Sequence, residues 1–231
     1  MFDFSIIADE WPTYLEGLMN TSWLVLVSLI AGLCIAIPMG ALRNSQNVLL
    51  RYPAWAYIYF FRGTPLLVQL FIIYYGAGQW QWLQTTGAWK WFQEAWFCSL
   101  LAFALNTGAY TAEIVRGSIQ MIPKGELEAA ASFGMSHWQM LRHIVLPSAL
   151  RRALPAYSNE VILMLHGSSV AGVITVVDLT GAARIINARY YTPFEAFITA
   201  GVLYLVLSMM LVWGFRRLER RWYAHLRPRI G

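Results

Sequence analysis

The chain has 231 residues, of which 58% are hydrophobic and only 13% are charged. Soluble domains carry roughly 25% charged residues, so this composition excludes a disordered chain and argues against a soluble globule. The net charge of +5 does not indicate nucleic acid binding, because the positions of the basic residues assign it to one face of a membrane.

Five segments of the chain are apolar and long enough to cross a membrane, which takes about 20 residues in a helix. The first of them, Gly17 to Leu42, contains 26 residues without a charged side chain. We predict an all-α integral membrane protein with one transmembrane domain over residues 1–231. Its spanning helices are expected near 18–42, 54–77, 95–116, 153–177 and 195–215.

Prolines occur inside the predicted spans, and two of them fall in the first two spans. Pro38 lies near the end of the first span and Pro65 lies inside the second. Prolines are tolerated in membrane helices because neighbouring helices satisfy the backbone groups that they free. Both prolines are therefore expected to be compatible with the predicted spans.

The basic residues are unequally divided between the two sides that this topology creates. With the amino terminus outside, three basic residues lie on the outer side and 13 on the inner side. The inner ones are Arg43, Arg51, Arg116, Lys124, Arg142, Arg151, Arg152, Arg216, Arg217, Arg220, Arg221, Arg227 and Arg229. Cytoplasmic loops carry an excess of Lys and Arg, so the bias predicts an outer amino terminus and a cytoplasmic carboxyl terminus.

The cytoplasmic connection 117–152 predicts two short helices joined by a tight turn. Glu126 and Glu128 lie in a first helical turn, where the helix dipole favours acidic side chains, and alanines follow them. Gly134 stands where a helix end favours a left-handed residue. Helices this short are unstable alone, so the pair should dock on another surface.

The second of these helices has its own start and stop signals. Ser136 and Gln139 have the spacing of a capping box. The helix is predicted from about His137 to Leu146, ending at Pro147, which lacks the backbone N–H needed to continue it.

The same connection resembles the EAA loop of permease subunits from ATP-binding-cassette (ABC) importers. The residues that match the motif E-A-A-x3-G-x9-I-x-L-P are Glu128, Ala129, Ala130, Gly134, Ile144, Leu146 and Pro147. In that family the loop forms the coupling helices that seat in a groove of a cytoplasmic ATPase. A helical hairpin that merely caps the bundle is the alternative, and it leaves the full spacing unexplained.

Three further segments resemble permeases for polar amino acids. They are residues 61–69 (FRGTPLLVQ), 106–113 (NTGAYTAE) and 157–166 (YSNEVILMLH), the last being similar to histidine, lysine, arginine and ornithine permeases. Many amino acid permeases carry Lys where His166 stands. The resemblance implies a type I ABC importer permease that moves amino acids, with basic ones expected, by alternating access.

The resemblance also implies partners and a location. The expected partners are a cytoplasmic ATPase dimer that holds the ATP and magnesium, a second permease subunit that is a paralogue or an identical copy, a periplasmic amino acid-binding protein, and membrane lipid. The expected location is the bacterial inner membrane. No cofactor is expected in this chain.

Ionisable residues inside predicted spans are costly and usually functional or paired. Glu160 suits a cationic substrate, and the resemblance also places it near the substrate path, although an ion pair with Arg62 or a partner permease is the alternative. His166, Ser168 and Ser169 are further candidates for the path, the two serines also being small enough for close helix packing. Arg62 and Glu113 are predicted to form a structural ion pair.

The charges before the last span are predicted to lie on an exposed outer loop. They are Asp178, Arg184 and Arg189, which are within reach of a binding protein. Exposed loop charges usually have no specific partner.

Motifs of enzymes and metal sites are absent from the sequence. No G-x-x-x-x-G-K-[ST], H-E-x-x-H, C-x-x-C or G-x-S-x-G occurs, and neither a catalytic residue nor a metal ligand is predicted. The alternatives are a glutamine or glutamate importer, a channel or carrier that needs no ATPase, and, least supported, a membrane-bound enzyme.

Overall fold

The computed structural model describes residues 5–222, and this part of the chain is helical, with no strand. Arg227 and Arg229, counted above on the basic side, lie outside the described residues. The α-helices are α1 (Ser5–Asp9), α2 (Trp11–Arg43), α3 (Val48–Gly63), α4 (Leu66–Phe71), α5 (Gln81–Gln84), α6 (Trp89–Phe92), α7 (Ala95–Gln120), α8 (Lys124–Ser132), α9 (His137–Met140), α10 (Leu146–Gly167), α11 (Leu179–Tyr190) and α12 (Pro193–Trp222).

Three helices, α2, α7 and α12, are each long and apolar enough to cross a membrane. Two bent pairs also qualify when each pair is counted as one span, which raises the number to five. The pairs are α3 with Leu66–Gly76, and His137–Ile174 with α11. The chain is therefore built as a multi-pass membrane protein, and the five apolar segments of the sequence correspond to these helices and helix pairs.

The centre of the fold is the contact between α2 and α7. A Cβ atom on Gly32 would lie 2.5 Å from Cγ2 of Thr107, and one on Gly40 would lie 2.9 Å from the carbonyl oxygen of Ala112. Small residues let helix backbones approach this closely in membranes, where packing rather than hydrophobic burial drives helix association. These glycines hold α2 against one side of α7.

The second predicted span is not a continuous helix. It breaks at Thr64 and Pro65, and the two parts are bent by 107°. Thr64 is extended, with φ −119° and ψ 146°, because a following proline disfavours the helical conformation. This sharp bend at Pro65 was not predicted from the sequence.

The break is stabilised by the side chain of Gln69. Its Nε2 atom donates to the carbonyl oxygens of Phe61, at 2.8 Å, and Thr64, at 3.0 Å. The Nδ2 atom of Asn106 in α7 lies 3.0 Å from Oε1 of Gln69 and 3.2 Å from the Phe61 oxygen. Two buried amides thus satisfy carbonyl groups that the interrupted helix leaves without a backbone partner.

Replacement of Gln69 by Leu is expected to lower the melting temperature of the purified protein by about 5 °C or more. The change leaves buried carbonyl groups without donors, which costs about 1–3 kcal/mol for each unsatisfied group. Gln81→Leu is the control, because Gln81 is exposed. Equal melting temperatures for the two variants would contradict this role for Gln69.

The sequence predicted that the helix after Ser136 ends at Pro147, but in the structure the helix continues past this residue. A π-helical turn, Leu141–Val145, joins α9 to α10, and Pro147 lies in the first turn of α10. The N–H of Leu146 donates to the carbonyl of Leu141, five residues earlier. The wider turn relieves the clash of the proline ring with the preceding turn, so the helical rod continues to Ile174.

Residues 178–189, expected as an exposed loop, lie mostly in helix α11, which packs against α2 and α12. Asp178 caps this helix and is fully buried. Its Oδ1 atom accepts from the Gly181 N–H at 2.7 Å, and its Oδ2 atom accepts from the Tyr204 hydroxyl at 3.2 Å. Asp178 is therefore a structural residue and not an exposed contact.

The end of α11 is tied to the start of α2 through Glu10. This buried carboxylate accepts hydrogen bonds from Thr13 and Tyr190 and forms an ion pair with Arg189. The bonds from Thr13 and Tyr190, together with Arg189, hold the pKa of Glu10 below its usual value. Arg189, predicted to be a loop charge, thus has an internal partner.

Candidate functional site

Glu160 is buried in the helical bundle, where α10 faces α7. It is 6% exposed, and its Oε1 atom accepts a hydrogen bond of 2.9 Å from the Thr107 hydroxyl. Within the described chain no basic side chain forms an ion pair with this carboxylate. A buried acid with one neutral partner keeps acceptor capacity for a further donor.

The residues around Glu160 form a continuous cluster, which we call the polar junction. It consists of Thr64, Gln69, Asn106, Thr107 and Glu160. Thr107 follows Asn106 in α7, and Asn106 bonds to Gln69 at the break of the second span. Elements distant in the chain thereby bring one carboxylate, two amides and two hydroxyls together between apolar helices.

The other three candidates for the substrate path do not join the polar junction. The Nε2 atom of His166 lies 3.0 Å from the Ser208 hydroxyl, and His166 lines a groove of about 350 Å³ that Tyr204 and Gly201 also border. The Ser169 hydroxyl donates to the His166 carbonyl. The buried Ser168 hydroxyl donates to the Leu165 carbonyl. Each serine hydroxyl is therefore bonded to a backbone carbonyl of its own helical segment.

The predicted ion pair of Arg62 with Glu113 is not formed. Glu113 pairs with Arg116 at 2.7 Å, three residues further along α7, and Nε of Arg43 lies 3.8 Å from its other oxygen. The Arg62 guanidinium instead lies over the ring of Tyr110, 5.2 Å from its centre. Our prediction is wrong because two arginines close to Glu113 on α2 and α7 occupy its carboxylate.

Arg62 and Glu113 nevertheless border the same groove, which we call the arginine groove. It has a volume of about 490 Å³ and lies between α3, α7 and the end of α2. Its charged residues are Arg43, Arg62, Glu113 and Arg116, and its aromatic residues are Trp55, Tyr59 and Tyr110. Three guanidinium groups face one carboxylate, so the groove has a surplus of positive charge.

The 124–147 hairpin begins as the sequence predicted, with helix α8 over Lys124–Ser132. Gly134 has φ +76°, and the Met135 N–H donates to the Ala130 carbonyl, which closes the turn. Ser136 and Gln139 make both bonds of a capping box at the start of α9. The turn therefore needs a residue that adopts the left-handed conformation, which is the conformation that glycine allows.

The tip of this hairpin exposes two large aromatic side chains that the motif analysis did not single out. Phe133 is 90% exposed and Trp138 is 68% exposed, on either side of Gly134. Large apolar side chains clustered on a polar hairpin typically mark a contact surface. The sequence does show these two aromatic residues, because they stand out in a short segment that is otherwise mostly hydrophilic.

No group of three or more His, Cys, Asp or Glu residues with the arrangement of a metal site occurs in residues 5–222. Residues 5–222 thus combine the helices of a membrane protein with an interior polar cluster and a protruding hairpin.

Residues 28–223 match the family model described as a binding-protein-dependent transport system inner membrane component. The chain belongs to this family, and the resemblance to ABC importer permeases that the motifs indicated is confirmed. The family is a membrane component rather than an enzyme.

Relatives cover nearly the whole chain. The nopaline transport system permease protein NocM of Agrobacterium fabrum is 42% identical over 230 residues, which are 99% of this chain and 95% of that protein. The histidine/lysine/arginine/ornithine transport system permease protein HisM of Salmonella typhimurium is 45% identical over 229 residues, which are 96% of this chain and 97% of that protein. HisM of Escherichia coli K12 is 47% identical over 217 residues, which are 92% of this chain and 90% of that protein.

Solved structures share the fold. A crystal structure of an amino acid ABC transporter with histidines superposes with a TM-score of 0.86 at 33% identity, covering 96% of this chain and 99% of that one. The inward-facing methionine ABC transporter MetNI gives a TM-score of 0.75 at 20% identity, covering 91% and 96%. The second likeness supports the fold alone.

Proposed function

We propose that this chain is a permease subunit of an ATP-driven importer for basic amino acids. The observation that carries the proposal is the whole-length identity of 45% to a permease named for histidine, lysine, arginine and ornithine transport. The buried Glu160 supports the cationic class of substrate, because a carboxylate pairs strongly with a guanidinium or ammonium group inside a bundle. Nopaline and octopine permeases are also close relatives.

The proposal includes a topology. Residues 1–231 form one domain with five spans, an outer amino terminus, and a cytoplasmic carboxyl terminus in the bacterial inner membrane. The 13 to 3 distribution of basic residues supports this orientation. The 124–147 hairpin then lies in the cytoplasm, where its exposed aromatics are accessible to another protein.

The proposal also includes the partners. A dimer of ABC ATPases supplies ATP hydrolysis with its own magnesium, a second permease subunit completes the path, and a periplasmic binding protein delivers the amino acid. The absence of a phosphate-binding motif in the sequence supports an energy source on another chain. The EAA residues, from Glu128 to Pro147, are proposed to transmit movement from the ATPase to the spans.

Replacement of Trp138 by Ser is expected to reduce the amount of ATPase that co-purifies with the permease by about fivefold or more. The change removes a large exposed apolar side chain from the proposed contact, and such aromatic residues carry much of the binding energy of interfaces. The measurement is the ratio of ATPase to permease after affinity purification of the co-expressed transport system.

Trp82→Ser is the matched control, because Trp82 is 71% exposed and lies far along the chain from the hairpin. The control is expected to retain the wild-type ratio. A Trp138 variant that also retains it would contradict hairpin docking. Failure of the wild-type chain to retain any ATPase would contradict the importer itself and favour a carrier or channel.

A further inference from the structure

Arg62 is a charged residue whose position the ion pairs of the fold do not explain. It is the one charged side chain between Pro53 and Trp89, and such residues are expensive inside membrane segments unless they are paired or functional. In the described chain Arg62 takes part in no ion pair, since Glu113 is held by Arg116 and Arg43. Its guanidinium is supported by the ring of Tyr110 and is exposed to the arginine groove.

Arg62 also lies directly beside the polar junction. Its neighbour in the chain, Phe61, gives its carbonyl to both Gln69 and Asn106. Asn106 is followed by Thr107, whose hydroxyl bonds to Glu160. Arg62 and Glu160 do not form an ion pair with each other. Arg62 and Glu160 are thus linked through one cluster of amides and hydroxyls, and within residues 5–222 neither has an ion-pair partner.

The space beside Arg62 is large enough for a small solute. The arginine groove has a volume of about 490 Å³, which is within the range of ordinary small-molecule sites. Guanidinium groups bind carboxylates with two parallel hydrogen bonds, whereas stacking on an aromatic face leaves the N–H donors at the guanidinium edge free.

We propose that Arg62 binds the α-carboxylate of the transported amino acid while Glu160 faces the cationic end. This inference rests on the proposed function and adds the second charged contact. The two charges recognise opposite ends of one solute, so the polar junction lies between them and selects an amino acid over a simple amine.

The test measures direct binding of radiolabelled ligands to the purified permease–ATPase complex in nanodiscs, without the binding protein. The ligands are arginine, arginine methyl ester, which lacks the carboxylate charge, and citrulline, which is nearly the same shape with a neutral side chain. Arg62→Gln is expected to weaken arginine binding by about tenfold or more and to leave ester binding within about twofold of wild type. Arg62→Lys keeps the positive charge but not the planar guanidinium, so it is expected to weaken arginine binding less than Arg62→Gln does.

Arg51→Gln is the matched control, because Arg51 lies in the same helix, is exposed and does not line the arginine groove. Glu160→Gln is expected to show the complementary pattern, with arginine and citrulline binding equally while the preference for arginine over its ester is retained. If Arg62→Gln does not assemble, the arginine-to-ester ratio of Arg62→Lys decides, since a lowered ratio supports carboxylate binding.

Equal weakening of arginine and ester by the Arg62 variants would overturn the inference, because it would indicate a structural role. Unchanged binding of both would overturn it as well. A wild-type complex that binds citrulline but not arginine would refute the proposed substrate class. That result differs from an Arg62 variant that is unchanged in a complex that binds arginine.

Discussion

Gly134→Val is expected to leave the complex assembled in the membrane and to lower the amount of amino acid transported per ATP hydrolysed by about tenfold or more. Gly134 has φ +76° at the turn between α8 and α9. A β-branched residue avoids this region strongly, at a cost of about 1–3 kcal/mol. Since the hairpin has few contacts with the rest of the fold, the expected consequence is a rearranged turn rather than an unfolded protein.

Gly125→Val is the matched control for this prediction. A Cβ atom on either glycine would meet no atom within 4 Å, and Gly134 is the one of the two with a positive φ. Both variants therefore add an unhindered side chain to the same hairpin, and they differ in backbone strain. Normal transport per ATP by the Gly134 variant, measured in liposomes with a coupled ATPase assay, would show that this turn does not couple the two activities.

Glu160→Gln is expected to lower arginine uptake into liposomes by roughly tenfold to a hundredfold, since a hydrogen bond to a charged group contributes about 1.5–3 kcal/mol. Glutamine has the same shape, and its amide oxygen still accepts from Thr107, so the bond of 2.9 Å is retained. The variant removes the negative charge alone. The protein is therefore expected to fold and assemble normally.

Glu94→Gln serves as the control because Glu94 is an exposed acid at the start of α7, outside the bundle. Uptake by this control is expected to equal that of the wild type. Wild-type uptake by the Glu160 variant would show that Glu160 does not contact the cationic end of the substrate, and it would favour a glutamine-type importer.

The local signals of the sequence predicted local structure well. The capping box at Ser136 and the left-handed glycine at Gly134 were both predicted, because each depends on a few neighbouring residues. The break at Pro65 was not predicted. The sequence shows the proline, but whether a membrane helix bends there depends on side chains such as Gln69 and Asn106 that arrive from elsewhere.

The candidate site was predicted in part for the same reason. Glu160 is conspicuous because a carboxylate interrupts an apolar run, yet its partner Thr107 lies 53 residues earlier and gives no sequence signal of the pairing. The expected pair of Arg62 with Glu113 failed because Arg43 and Arg116 compete for the same acid. Helix α11 was missed because charged residues interrupt its apolar residues, and Glu10, the partner of Arg189, lies 179 residues earlier in the chain.

We propose that this chain imports basic amino acids with energy from a separate ATPase. The measurement that tests it most directly is the ATPase activity of the assembled complex in liposomes, with its binding protein loaded with arginine, histidine or glutamine. We predict that arginine or histidine raises the hydrolysis rate severalfold above that with the unloaded binding protein, and that glutamine does not. Stimulation by glutamine alone would contradict the substrate class, and no stimulation by any of the three would contradict the account of a basic amino acid importer.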